Sequence, residues 1–86
     1  MKEKLLTEME AIDSYVYNHM GSLKQFTIDM IQGIIEELND ENVGLSEQEV
    51  IGSLSYRVNT ALEICDKNLP DYNILDEIDD TIGKYL

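Results

Sequence analysis

The chain has 86 residues, the length of one domain, and folding at this size hides only about 60 to 65% of the surface that the unfolded chain exposes. Its 18 acidic and six basic residues give a formal net charge of -12. Because nucleic-acid binding needs Lys and Arg to replace phosphate counterions, we expect no direct contact with nucleic acid and none with an anionic membrane surface. A hydrophobic content of 43% is too high for a disordered acidic tail, so we expect one folded domain spanning residues 1–86.

Cysteine content and the start of the chain bear on location. Cys65 is the only cysteine and cannot form an intramolecular disulfide. Residues 1–6, MKEKLL, lead into acidic sequence instead of an apolar stretch, and no run approaches the roughly 18 apolar residues of a membrane span. We therefore expect a cytoplasmic protein.

An apolar stripe predicts the first helix, from about Lys2 to His19. Its members follow one another at spacings of three and four residues: Leu5, Met9, Ile12, Val16 and Met20. Gly21 suits a helix end, and Ser22 with Gln25 fits a capping box, which favours a break. Against a break, the spacing continues to Met30, as it would in one coiled-coil seam. We predict two helices here, with a single long helix as the alternative.

The second helix is predicted from about Leu23 to Leu38. Its apolar arc is wider than that of the first helix, so we expect it to be central and to bury Leu23, Phe26, Met30, Ile31, Ile34, Ile35 and Leu38. Turn formers at 39–44, NDENVG, end it. This loop does not fit an EF-hand, because Val50 would occupy the position of the bidentate acid if Gly44 were the turn glycine.

A capping box gives the clearest helix start in the sequence. Ser46 and Glu49 can each accept a hydrogen bond from the other's backbone amide, and Leu45 and Val50 occupy the hydrophobic-staple positions. The third helix is predicted from about Glu47 to Lys67, before Pro70. Its stripe comprises Val50, Ile51, Leu54, Val58, Ala61, Leu62 and Cys65.

A short fourth helix is predicted to begin near Asn73, with Asp76 and Glu77 in its first turn, where negative charge suits the helix dipole. Its expected buried residues are Ile74, Leu75, Ile78, Ile82 and either Tyr85 or Leu86. The predicted fold class is therefore all-α, a small antiparallel bundle of four helices, or of three if the first two are continuous through Gly21.

Catalytic chemistry finds no support in the sequence. His19 is the only histidine and has no accompanying nucleophile or orienting acid, and Cys65 falls within a helix stripe, as a packing residue would. A glycine-rich phosphate loop and metal-ligand spacings are also lacking. We predict a protein that is not an enzyme, with no catalytic residue, no cofactor and no metal site.

Two groups of residues are candidates for contact with a partner protein. The densest acidic cluster is Asp76, Glu77, Asp79 and Asp80, which together with Asp71 could face a basic surface. Tyr56 projects from the third helix opposite its apolar stripe, alongside Glu63, and could anchor a partner. We expect Arg57 to pair with an acid of a neighbouring helix.

These features rank three functions. The first is an acidic inhibitor or adaptor that occupies the basic surface of a protein partner, as immunity proteins and phage-encoded inhibitors of defence nucleases do as classes, in some cases by nucleic-acid mimicry. The alternative is a structural homodimer or larger homo-oligomer that pairs through the seam from Leu5 to Met30. A carrier domain is third.

The carrier reading depends on Gly52, Ser53 and Leu54, followed by Pro70 and Asp71. This pattern is similar to the Asp-Ser-Leu attachment site of acyl carrier proteins, which are also small, acidic and helical. The chain departs from that site because Gly52 replaces the Asp. Ser53 also falls well inside the predicted third helix, whereas the family's serine lies exposed at a helix start.

Overall fold

Four α-helices follow one another in residues 1–41 and 44–86, which the computed structural model describes except for the side chain of Met20. They are α1 (Lys2–Tyr17), α2 (Gln25–Asn39), α3 (Glu47–Ile64) and α4 (Pro70–Gly83), and a 3-10 turn, Met20–Ser22, joins α1 to α2. These two stretches contain no strand. The predicted all-α architecture with four helices is confirmed.

The chain breaks between α1 and α2, so the alternative of a single long helix is wrong. The predicted capping box at this break is also wrong. The Ser22 hydroxyl donates to the His19 carbonyl at 2.9 Å, and Lys24 is the N-cap residue of α2 without a side-chain cap of its own. The acceptor for this helix start comes from α4, as described below.

The core is built from one face of every helix. α1 packs against α2 and α4, and α3 packs against α4. The buried cluster comprises Leu5, Met9, Ile12, Val16, Ile28, Ile31, Ile34, Leu38, Val50, Ile51, Leu54, Val58, Ile74, Ile78 and Ile82. The first half of the seam from Leu5 to Met30 therefore packs within the chain, and the side chain of Met20 lies outside the described residues.

The start of α3 has the predicted capping box. The Glu49 amide donates to Ser46 Oγ at 3.1 Å, and the Ser46 amide donates to Glu49 Oε1 at 3.5 Å. Gly44 precedes the cap with a φ of 84°, a left-handed conformation that glycine adopts without strain. Leu45 remains 53% exposed, so the staple position adds little buried surface. Asn42 and Val43 of the predicted turn lie outside the described residues.

The end of α3 and the start of α4 differ from the predicted boundaries. α3 ends at Ile64, and Cys65 is its extended C-cap, half-buried beyond the helix instead of packed in its stripe. α4 begins at Pro70 and not near Asn73, because proline suits a first helical position, where no amide hydrogen is needed. Asp71 therefore occupies the first turn of α4 in place of Asp76 and Glu77.

The buried face of α4 is as predicted, with Ile74, Leu75, Ile78 and Ile82 all in the interior. Tyr85 is half-buried, whereas Leu86 is exposed. No helix in the described part of the chain is both long and apolar enough to cross a membrane.

A polar contact ties the chain's end to its first helix. Lys84 Nζ lies 2.8 Å from Glu8 Oε1, and the Tyr85 hydroxyl donates to Glu8 Oε2. The hydrogen bond from Lys84, followed by that from Tyr85, lowers the pKa of the Glu8 carboxyl. The same contacts with Glu8 raise the pKa of the Lys84 ammonium and of the Tyr85 hydroxyl.

Candidate functional site

The acidic cluster on α4 forms a broad surface, which we call the acidic face: Asp76, Glu77, Asp79 and Asp80. Asp79 is half-buried and the other three are exposed. At 3.6 residues per turn their side chains spread over about 160° of the helix circumference. Glu77 reaches the α1 side, where it lines a depression with Ala11 and Tyr15. The four carboxylates therefore do not converge on one point.

The charge of the acidic face is not neutralised by salt bridges. None of its four carboxylates forms a salt bridge with a described cation; the bridges in residues 1–41 and 44–86 join Lys84 to Glu8, Arg57 to Glu37 and the N-terminal amine to Glu47. Partial burial, followed by repulsion from Asp80 and Asp76, raises the pKa of the Asp79 carboxyl. Such a surface suits several separate basic side chains better than one ion. No three His, Cys, Asp or Glu side chains among the described residues could hold a metal ion.

Asp71 does not belong to this surface, so its assignment as a partner-binding residue is wrong. Its side chain is fully buried, and its Oδ2 accepts hydrogen bonds from the Lys24 amide at 2.8 Å and from the Thr27 hydroxyl at 2.6 Å. Asp71 Oδ1 is buried without a hydrogen-bond partner among the described residues. Asp71 thus supplies the N-terminal acceptor for α2 from the first turn of α4.

Tyr56 is on the outer surface of α3, as predicted, and 74% of its surface is exposed. Asn59 and Glu63 follow it along the helix and are also exposed. Glu63 and Asn59 line a depression of about 370 Å³ together with Tyr72 of α4. The row from Tyr56 to Glu63 therefore lies beside the boundary between α3 and α4.

An apolar groove between α2 and α3 was missed by the sequence analysis. Its volume is about 310 Å³. We call it the α2–α3 groove, and its lining comprises Phe26 and Met30 of α2 with Tyr56, Arg57, Thr60, Ala61 and Ile64 of α3. Phe26 is 44% exposed and Ile64 is 82% exposed, so the groove presents apolar surface to solvent.

The sequence contained two signals for this groove. The apolar arc of α2 is too wide for one neighbour, and Phe26, which we expected to be buried, lies at its exposed edge. Ile64 is a large apolar residue that the predicted stripe of α3 left unassigned. Neither signal could locate the groove, because its walls belong to two helices whose separation depends on tertiary packing.

Arg57 marks one end of the α2–α3 groove. It forms the predicted interhelical ion pair, with Glu37 of α2. Arg57 also lines a second depression, of about 380 Å³, whose other residues are Gly33, Glu36, Glu37 and Asp40. The boundary between α2 and α3 therefore changes from apolar at Phe26 to acidic at Asp40.

His19 and Cys65 are not brought together with other reactive groups. The His19 ring stacks on Tyr15 with a centroid distance of 4.2 Å, and its Nδ1 lies 2.8 Å from the Tyr15 carbonyl oxygen. Burial, followed by the negative charges of Asp71 and Asp66, raises the pKa of the Cys65 thiol. A raised thiol pKa leaves less of the reactive thiolate at neutral pH.

No protein-family model matches this chain, and no curated protein or solved structure shows significant similarity to it. The candidate surfaces are therefore argued from the chain's own residues: the acidic face, the outer row of α3 and the α2–α3 groove.

Proposed function

We propose that this protein is a non-enzymatic interaction module that binds a basic surface of a partner protein in the cytoplasm, as an inhibitor or adaptor. The observation that carries the proposal is the acidic face, four carboxylates on one helix without a salt bridge to a described cation. Its charge is available to a partner, because no described lysine or arginine neutralises it.

The physical reason for a basic partner is complementarity of charge. A chain with a net charge of -12 repels other acidic surfaces and accelerates its encounter with basic ones. Lysines and arginines that hold nucleic-acid phosphates meet negative charges spread over a wide surface, and the acidic face offers a similar spread. A nucleic-acid-handling protein is therefore the class of partner that fits best, with Tyr56 and Glu63 as neighbouring contacts.

The test compares two variants that remove the same number of negative charges. The first neutralises the acidic face with Asp76→Asn, Glu77→Gln, Asp79→Asn and Asp80→Asn. The control carries Glu3→Gln, Glu10→Gln, Asp13→Asn and Glu41→Gln, which also comprise three exposed acids and one half-buried acid. Both variants and the parent protein are used for affinity capture from the host lysate at low and high salt, and captured proteins are identified by mass.

We expect the parent and the control to capture the same basic protein at low salt. The acidic-face variant should lose it, and high salt should release it, because screening weakens exposed charge pairs. Capture that resists salt, or that survives neutralisation of the acidic face, would contradict the proposal. The homo-oligomer and the carrier domain have no comparable support, since Leu5, Met9, Ile12 and Val16 are buried within the chain and Ser53 lies inside α3.

A further inference from the structure

The α2–α3 groove is an apolar surface in a protein that is otherwise strongly charged. Phe26, Tyr56 and Ile64 are three of the large hydrophobic residues that the described chain leaves exposed, and all three line this groove. Exposed apolar side chains gain free energy when a partner removes them from water, and clusters of them mark interaction sites. The groove therefore has a driving force for binding that the acidic face lacks.

The shape of the groove selects a helix as its occupant. Its walls are helices, whose backbone groups are already paired internally, so no strand edge is present to bind an extended peptide through its backbone. A helix satisfies its own backbone and can pack its side chains between α2 and α3. From Phe26 to Asp40, α2 rises about 21 Å, which a helix of about 14 residues would match.

Charge complementarity selects a basic helix over a second copy of this chain. Beyond Arg57 the boundary between α2 and α3 is lined by Glu36, Glu37 and Asp40, so carboxylates outnumber the single guanidinium. Two copies of a chain with a net charge of -12 would bring like charges together there. Lysines or arginines at one end of a partner helix would instead meet these acids.

We propose that the α2–α3 groove binds one amphipathic helix of a partner protein. The apolar side chains of this helix contact Phe26, Met30 and Ile64, and its basic end lies over Glu36 and Asp40. This surface is additional to the acidic face, which lies on α4. A partner could use either surface alone, so the two are tested separately.

The probe is a displayed library of peptides of about 14 residues with leucines fixed at helical spacings i, i+4 and i+7 and all other positions randomised. The library is selected against the parent protein. A second library, with the same leucines placed around the whole helix, is selected in parallel. We expect enrichment from the first library only, with lysine and arginine accumulating towards one end.

The enriched peptides are then synthesised with a fluorophore and titrated by fluorescence anisotropy. The groove variant is Tyr56→Ser with Ile64→Ser, and the matched control is Tyr17→Ser with Leu86→Ser. Tyr17 and Tyr56 are 75% and 74% exposed, and Leu86 is exposed as Ile64 is, so neither variant removes a core residue. We expect the dissociation constant to rise about tenfold or more in the groove variant and to stay within about twofold in the control.

Three outcomes would overturn the inference. They are no enrichment over the second library, equal binding by the groove variant and the control, and self-association in light scattering that Tyr56→Ser with Ile64→Ser abolishes, which would make a second copy the occupant. The acidic-face variant should still bind the peptides. Peptide binding without salt-sensitive capture would therefore contradict the proposed function alone, and capture without peptide binding would contradict the groove alone.

Discussion

At the scale of single residues, Asp71 shows how one buried carboxylate is stabilised by two helix starts. It lies in the first turn of α4 and accepts hydrogen bonds from Lys24 and Thr27 at the beginning of α2. The positive ends of both helix dipoles favour its negative charge, and hydrogen bonds to a charged group are stronger than neutral ones. Asp71 is therefore a structural residue that joins α2 to α4.

We predict that Asp71→Ala lowers the free energy of unfolding by about 2 kcal/mol, because α2 loses its acceptor and the Thr27 hydroxyl is left buried. Asp71→Asn keeps an acceptor oxygen and should lose less. Urea unfolding followed by circular dichroism measures both changes. The control is Asp76→Ala, whose exposed carboxylate forms no described salt bridge, so a change within about 0.5 kcal/mol is expected. Equal effects of Asp71→Ala and Asp76→Ala would refute the capping role.

At the scale of elements, α2 and α3 begin by different means. α3 is capped by its own neighbouring residues, Ser46 and Glu49, in a motif that spans four positions of the sequence. α2 has no side-chain cap from its own N-cap residue, Lys24, and depends on another helix. The start of α3 can form from local contacts, whereas that of α2 is completed only when α4 packs nearby.

Ser46→Ala should therefore lower the free energy of unfolding by about 1 kcal/mol, since the Glu49 amide loses its acceptor. The matched control is Ser53→Ala, at an exposed position inside α3, where alanine has the higher helix propensity. We expect this control to be neutral or stabilising by about 0.5 kcal/mol. Thermal or urea unfolding of both variants decides the matter, and a loss at Ser53 as large as that at Ser46 would argue against the cap.

At the scale of the whole molecule, charge and closure of the chain act together. The excess of acids raises the electrostatic energy of the compact state through self-repulsion. The contact of Glu8 with Lys84 and Tyr85 opposes this at one point, where the last residues of the chain meet α1. Because the pKa of Glu8 is lowered in the folded protein, the contact stabilises the fold only while this carboxyl is ionised.

We predict that the destabilisation caused by Glu8→Gln depends on pH. A lowered folded-state pKa means that the contribution of Glu8 is complete above its ordinary value of 4.5 and is lost as the pH falls through the folded-state pKa. The difference in the free energy of unfolding between parent and variant should therefore be largest near neutral pH and shrink below about pH 4.5. Urea unfolding at a series of pH values measures it.

The control for this pH series is Glu10→Gln, which removes an equal charge from an exposed position on α1 without removing a described salt bridge. It should change the stability less than Glu8→Gln near neutral pH. A difference for Glu8→Gln that stays constant from pH 7 to pH 3 would contradict the role of the contact with Lys84 and Tyr85.

The sequence by itself determined the four helices, the cap at Ser46 and the exposure of Tyr56. Each follows from residues within a few positions of one another, because helical period and capping geometry are local properties. The interior positions of α1 and α4 were predicted for the same reason. Pro70 also carried the local signal for the start of α4, as a first-turn proline, although its position was assigned too late in the chain.

Only the tertiary structure decided the role of Asp71 and the presence of the α2–α3 groove. Asp71 and Thr27 lie 44 positions apart in sequence, so their contact exists only after α4 has packed beside α2. The groove likewise depends on the distance between two helices, which the packing of the whole core sets. The sequence fixes which face of a helix is apolar, but the arrangement of its neighbours decides how much of that face remains open to a partner.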